Sequence, residues 1–197
     1  MLEDVRARAT PDAKARSLRY LHELTPFNGN RTTIPILQRK LVGDDEWLRV
    51  ILPERPNNQT GWIPASSARI VRNTWRIRVD LGLRLLDVFR DDRRVARHRV
   101  VIGARSTPTP LGRFYVMEKV VLGTRWSPRG WALALSAFSN VLRHYDGGEG
   151  QVAVHARGSL TGALGSASSH GCVRVEDGVA AWLAKRIPDG TFIEIAR

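Results

Sequence analysis

The chain has one cysteine, Cys172, in 197 residues, so no intramolecular disulfide can form and the thiol is free. No second cysteine and no His-Glu motif accompanies it. Zinc takes three or four ligands, so one Cys with two nearby His falls short of a metal site, and neither a metal nor another cofactor is expected. No stretch approaches the roughly 18–20 apolar residues of a membrane span. The opening Met1-Leu2-Glu3-Asp4-Val5-Arg6 also lacks the apolar core of a secretory signal. Lysine is scarce, with Lys14, Lys40, Lys119 and Lys185 the only four among 31 basic residues. A formal charge of +12 favours anionic partners. The arginines are scattered among apolar residues, however, with no basic block of five or six and no nucleic-acid module, so nucleic acid is not expected.

A 43% hydrophobic content suffices for a packed core and excludes a disordered chain. Residues 1–31 are polar and Ala/Arg-rich. Ala15, Leu18, Leu21 and Leu24 recur every three residues, which predicts an amphipathic helix over 12–24, ended at Thr25-Pro26; a solvated extended segment is the alternative. Residues 32–72 change to short β-like runs, Ile34 to Leu37, Trp47 to Leu52 and Gly61-Trp62-Ile63, separated by Gly43-Asp44-Asp45 and Pro56-Asn57-Asn58. From residue 73 a period-two strand, Trp75 to Leu81, is followed by a hairpin around Asp91-Asp92, on which His98 is expected to face solvent. Trp126 and Trp131 fall in a loop-like stretch with Pro128 and Gly130. A helix is predicted from Glu176-Asp177 to Pro188, with acids in its first turn and Lys185-Arg186 in its last, as the helix dipole favours. A strand over 191–196 closes the chain.

The chemistry concentrates in Ser169-His170-Gly171-Cys172-Val173-Arg174. Gly171 leaves room for a close approach beside the sulfur. His170 is two positions away, and His155 stands seventeen residues upstream at the end of Gln151-Val152-Ala153-Val154. An imidazole that accepts the thiol proton makes a cysteine a strong nucleophile. On these residues alone, a buried cysteine acting as a small hydrophobe is the favoured reading, since free Cys is among the most buried residue types.

His155, a Gly/Ser-rich loop and then the hexapeptide resemble the signature of the L,D-transpeptidase (YkuD-like) catalytic domain. Thr107-Pro108-Thr109-Pro110-Leu111-Gly112-Arg113-Phe114-Tyr115-Val116 and Trp131-Ala132-Leu133-Ala134-Leu135-Ser136 are further matches, and the likeness covers roughly residues 74–197. The run over 32–72 resembles, less specifically, a bacterial Src-homology-3-like module. The expected organisation is therefore a mainly β chain: a helical or extended segment over 1–31, a β-barrel-like module over 32–72, and a two-sheet β catalytic domain with one late helix over 73–197.

The resemblance implies roles. Cys172 matches a nucleophile that attacks the carbonyl at the third position of a peptidoglycan tetrapeptide stem. His155 matches its general base. Backbone N–H groups at Gly171 and Cys172 would hold the oxyanion, with His170 and Ser169 shaping the site. Arg174 would bind a stem carboxylate, and Trp126 and Trp131 would line the groove. The implied partners are stem peptides and anionic wall polymers, and the implied location is extracytoplasmic. Many members carry Gly-Thr after the histidine where this chain has Ala156-Arg157, which bears on substrate preference. An L,D-carboxypeptidase or wall hydrolase with the same Cys/His pair, or a wall-binding protein without activity, are the alternative functions.

Overall fold

The computed structural model describes residues 1–122, 130–145 and 147–197. The chain is mainly β. Its first five strands, β1 (Val5–Arg8), β2 (Ser17–Leu21), β3 (Ile36–Val42), β4 (Asp45–Ile51) and β5 (Thr60–Pro64), form one antiparallel sheet in the order β2-β1-β5-β4-β3. Alternation along β4 and β5 sends Leu48, Val50 and Ile63 into a small core with Ala7, Leu21 and Leu52.

The helix expected over 12–24 is not formed. Asp12 accepts the Lys14 N–H on its carboxylate (2.7 Å) and the Ala15 N–H on its carbonyl (3.0 Å), making a turn, and Ser17–Leu21 then pairs with Val5–Arg8. A helix of about 13 residues is marginal in isolation, and the hairpin supplies backbone partners plus burial of Leu21. Residues 1–31 thus contribute two strands to the same sheet as 32–72.

The remaining strands are β6 (Trp75–Asp80), β7 (Leu85–Arg90), β8 (Arg93–Arg99), β9 (Ile102–Gly103), β10 (Gly112–Leu122), β11 (Gly130–Phe138), β12 (Gln151–Ala156), β13 (Ala167–Ser169), β14 (Val173–Val175) and β15 (Phe192–Ala196), with the helix α1 (Asp177–Arg186) before the last. Eight of them run in the order β14-β12-β11-β10-β15-β6-β7-β8, and β9 pairs with β13 apart. The two leaves expected of this domain share β10. Its first half, Gly112 to Tyr115, pairs with β15; its second, from Val116, pairs with β11, and the register shifts between Val116 and Glu118. A shift of this kind bends a strand and increases its twist, so β10 passes from one leaf to the other. Ile77, Val79, Leu86 and Val88 from one leaf, Leu133, Leu135, Val154 and Val173 from the other, and Ala180, Leu183 and Ile187 of the helix segment share one core. Each Val, Leu or Ile among them, fully buried, contributes about 1.5–3 kcal/mol before the entropy of ordering is charged against it.

The β7–β8 hairpin turns on Asp91 and Asp92, with φ of 48° and 60°, the left-handed pair that a two-residue type I′ turn requires. Alternation along β8 brings Ala96 and His98 inward and leaves Val95 exposed. His98 is therefore not solvent-facing as expected. Its ring meets Trp182 of α1 at 6.3 Å, and its Nε2 is enclosed without a partner among the described residues. The preference for arginine over lysine also acquires a reason, because guanidinium groups cover aromatic faces: Arg76 over Phe89, Arg90 over Trp75, Arg186 over Trp182 and Arg55 over Phe138.

The two sheets are joined by specific polar contacts. The Arg55 guanidinium donates to the carbonyls of Ser139, Leu142 and Glu149, and the Asn57 side chain exchanges hydrogen bonds with the Phe138 backbone. Glu118, wholly buried on β10, accepts the N–H groups of Phe27 and Asn28 at 3.1 and 3.0 Å.

Candidate active site

Parallel pairing of β12 with β14 sets the site. Val154 lies opposite Val173, His155 opposite Arg174 and Ala156 opposite Val175. Side chains alternate along both strands, so Val154, Ala156, Val173 and Val175 enter the core while Ala153, His155, Cys172 and Arg174 take the other face. That face borders a cavity of about 580 Å³, lined by His155, Cys172, Arg174, His170, Tyr145 and Leu160 among others. Sixteen residues of intervening chain are thus folded away, and the two residues matched as base and nucleophile share one chamber.

His155 is 9% exposed, and its Nδ1 donates to the Ala156 carbonyl at 2.7 Å. With Nδ1 carrying the proton, Nε2 is left with a free lone pair. Burial lowers the imidazole pKa to about 4; the Ala156 hydrogen bond pulls it up, and the Arg174 charge adds to the lowering. Burial also pushes the Cys172 thiol up, opposed by the Ala153 backbone and by Arg174. The resting pair is a neutral imidazole and a neutral thiol.

The nucleophile turn is held from below. Ser169, 1% exposed, donates its hydroxyl to the Cys172 carbonyl (2.6 Å) and accepts the Gly171 N–H (3.2 Å). Gly171 has φ of 121°, a conformation that a side chain would strain. Since Ser169 already engages the Gly171 N–H, the Cys172 N–H is the better placed of the two expected oxyanion donors; among the described residues no acceptor is bonded to it. His170 stacks on Tyr145 with ring centroids 5.1 Å apart, and its Nδ1 lies 3.2 Å from the Tyr145 hydroxyl.

Arg174 is 6% exposed. One guanidinium nitrogen donates to the Thr161 carbonyl at 2.8 Å, tying down the loop after His155, and its Nε has no partner among the described residues. Its backbone exchanges two hydrogen bonds with Val101, both 2.9 Å. Trp131 does not line the cavity. It lies within β11 rather than in a loop, opposite Val121, and alternation puts its cavity-lining neighbour Ala132 on the other face. Trp126 lies outside the described residues.

Two supports escaped the sequence reading. Thr107 donates its hydroxyl to the Ser169 carbonyl (3.0 Å), and the Ala104 N–H reaches the same oxygen (2.8 Å). Gly103 allows this, since a Cβ there would come within 2.4 Å of the Thr107 carbonyl oxygen and the Thr109 nitrogen. The signal was present in the Thr-Pro-Thr-Pro run, but nothing in its spacing tied it to the cysteine. Tyr145 is the second, hidden because its partner is 25 residues away. Among the described residues, no group of three or more His, Cys, Asp or Glu side chains is placed to hold a metal ion.

Comparison with known proteins gives a consistent outcome. The family model of the L,D-transpeptidase catalytic domain matches residues 74–195. A Bacillus licheniformis protein named for the L,D-transpeptidase YkuD is 27% identical over 159 residues, 75% of this chain and 85% of its own. The crystal structure of L,D-transpeptidase 3 from Mycobacterium tuberculosis, in complex with a faropenem-derived adduct, superposes with a TM-score of 0.51 at 14% identity, over 84% of this chain and 98% of that one. A solved Enterococcus faecium L,D-transpeptidase gives a TM-score of 0.47 at 22% identity, covering 62% of this chain; the chain spans half of that protein's length.

Proposed function

The chain belongs to the L,D-transpeptidase catalytic domain family, and from that premise we propose that it is a peptidoglycan L,D-transpeptidase working through a Cys172 acyl-enzyme. The observation that carries the reading is the common face of β12 and β14, where Cys172 meets the cavity beside a histidine whose Nδ1–H is already committed to the Ala156 carbonyl. Nε2 of His155 takes the thiol proton as Sγ bonds to the carbonyl carbon at the third stem position. The resulting oxyanion is received by the Cys172 N–H, a preorganised donor worth about 2.7–4 kcal/mol in a dry site. Collapse breaks the C–N bond to the terminal D-alanine, whose amine leaves with the proton from His155. An acceptor amine then loses its proton to His155, attacks the thioester and regenerates the thiol. Moving the proton within the attack suits a pair that rests neutral, because neither group has to carry charge before substrate arrives.

Such chemistry cross-links or remodels cell wall, which sets the expected location outside the cytoplasmic membrane. No helix among the described residues is long and apolar enough to cross one. The decisive experiment is mass spectrometry of products from purified tetrapeptide muropeptides with an acceptor amine in excess. Cross-linked dimers, or exchange of the terminal D-alanine for an added D-amino acid, are expected. Tripeptide and free D-alanine alone would replace transfer by hydrolysis. A penem or carbapenem should add once, to Cys172, by intact mass; a folded protein left unmodified would count against an open thiol site.

A further inference from the structure

The chamber that holds Cys172 extends past the catalytic sheet. Arg19, Pro26, Phe27 and Pro53, all from the N-terminal sheet and its loops, form part of its wall. Arg19, Pro26, Pro53 and Met117 also line a second cavity of about 290 Å³, in which Tyr115 is a wall residue. The two cavities therefore share a wall of four residues at the seam between the two sheets.

The second cavity has a chemical character of its own. Tyr115 follows core-facing Phe114 on β10, and alternation turns its side chain toward the N-terminal sheet. The residue is 1% exposed, and its hydroxyl has no hydrogen-bond partner among the described residues. Buried tyrosine hydroxyls ordinarily find one. The Arg19 guanidinium stands close enough to pull the hydroxyl's pKa down against the upward push of burial. Arg19 itself approaches Glu54 at 3.6 Å, longer than a hydrogen bond, with its side chain 45% exposed. Among the described residues, no Asp or Glu lines the second cavity. A half-exposed planar cation, beside an orphaned hydroxyl in a cavity with no acid among its described lining residues, matches a carboxylate that accepts from both.

We propose that Arg19 and Tyr115 form a subsite for a carboxylate of the donor stem peptide remote from the scissile bond, so that the N-terminal sheet selects substrate. This rests on the acyl-donor reading of Cys172. The subsite explains why residues 1–64 are keyed into the catalytic sheet through Glu118 and Arg55 rather than tethered beside it. Arg174 is less suited to the same role, since Thr161 already occupies part of its guanidinium.

The test separates binding from chemistry. In full-length Cys172→Ala protein, calorimetry compares two synthetic tetrapeptide donors that differ only in whether the carboxylates remote from the scissile bond are free or amidated. The free acid should bind about tenfold more tightly, the ratio expected for one charge-assisted contact. Adding Arg19→Ala should erase that difference by weakening the acid alone, and Arg19→Lys should restore part of it. Tyr115→Phe should weaken the acid about threefold with no loss of thermal stability, because the hydroxyl it removes has no partner to lose. Equal binding of both donors to the parent protein, or equal weakening of both by Arg19→Ala, overturns the subsite. Turnover by wild-type protein is measured separately. Absence of any Cys172 acylation would sink the transpeptidase reading, while the calorimetric contrast would still decide the subsite.

Discussion

A buried imidazole with a pKa near 4 is a weak base in water, yet at neutral pH essentially every copy of it is free to accept a proton. His155 therefore exchanges base strength for availability, and the loss is made good only if proton transfer and attack occur together on a bound carbonyl. The pH dependence carries that signature. kcat/KM on a stem peptide should hold level as pH falls through 6.5, the ordinary histidine value, and decline toward 4, where His155 is protonated. A profile bending near 6.5 would mean that the site opens and solvates the ring. Stability follows the same group. Between about 4 and 6.5 the unfolded chain binds the histidine proton and the folded chain does not, so folding weakens as pH falls across that window, by about 3 kcal/mol in all. Urea unfolding at pH 4.5 and 7 should show a smaller acid loss for His155→Gln than for wild type. The same variant should lose about 10²–10⁴-fold in acylation rate, and Cys172→Ala all turnover. At this scale the sequence was most legible. Ser169, Gly171 and Cys172 stand within one short run, and His155 was tied to them by the resemblance to the family signature, whereas Thr107 and Tyr145 act across long separations that no spacing reveals. Trp131 was misread because an aromatic beside Gly130 looks like a loop, while hydrogen bonding to Val121 makes it part of a strand.

Among the elements, β10 ties both leaves of the catalytic sheet to the N-terminal sheet. It belongs to both leaves, turns Tyr115 toward the N-terminal sheet, and through Glu118 holds the 25–28 loop that puts Phe27 at the rim of the cavity. Glu118 accepts two backbone N–H groups at a buried position, and hydrogen bonds to a charged acceptor contribute about 1.5–3 kcal/mol. Glu118→Gln presents an amide donor where an acceptor is needed, and should destabilise the protein by an amount in that range. Hydrogen exchange at residues 25–30 should accelerate with it, while the β6–β7 pairing stays protected. Uniform acceleration across the chain would show that Glu118 supports global stability and does not anchor the loop. Element identity was readable wherever one residue pattern had one solution: a hairpin around Asp91-Asp92, a half-buried strand from Trp75 to Leu81, a helix from Glu176-Asp177 toward Pro188. Residues 12–24 failed because a three-residue apolar spacing is shared by a weak helix and by a strand following a turn. The pairing with Val5–Arg8 that decides between them is tertiary.

For the molecule as a whole, the question is whether the N-terminal sheet is a separable wall-binding appendage or half of the substrate groove. A fragment spanning 73–197 distinguishes them. An appendage would leave behind a folded enzyme, active on soluble stem peptides and deficient only in sedimenting with insoluble sacculi. The contacts argue for the other outcome. Removing residues 1–72 strips Glu118 of both N–H donors, leaves the Ser139, Leu142 and Glu149 carbonyls without Arg55, and frees the Phe138 backbone from Asn57. It also opens one wall of the cavity to water, which competes with an amine for the thioester. Water is present at about 55 M, and transfer prevails only where the amine is held at an effective molarity of order 10⁵–10⁸ M. The fragment should therefore have a lower melting temperature than the full chain. Whatever activity survives on soluble stems should shift from cross-linked or exchanged product toward tripeptide. Full transfer activity from the fragment, at unchanged melting temperature, would reduce the N-terminal sheet to a docking module. A fragment that folds, acylates with a penem and yet releases only tripeptide would assign the sheet to excluding water from the acyl-enzyme.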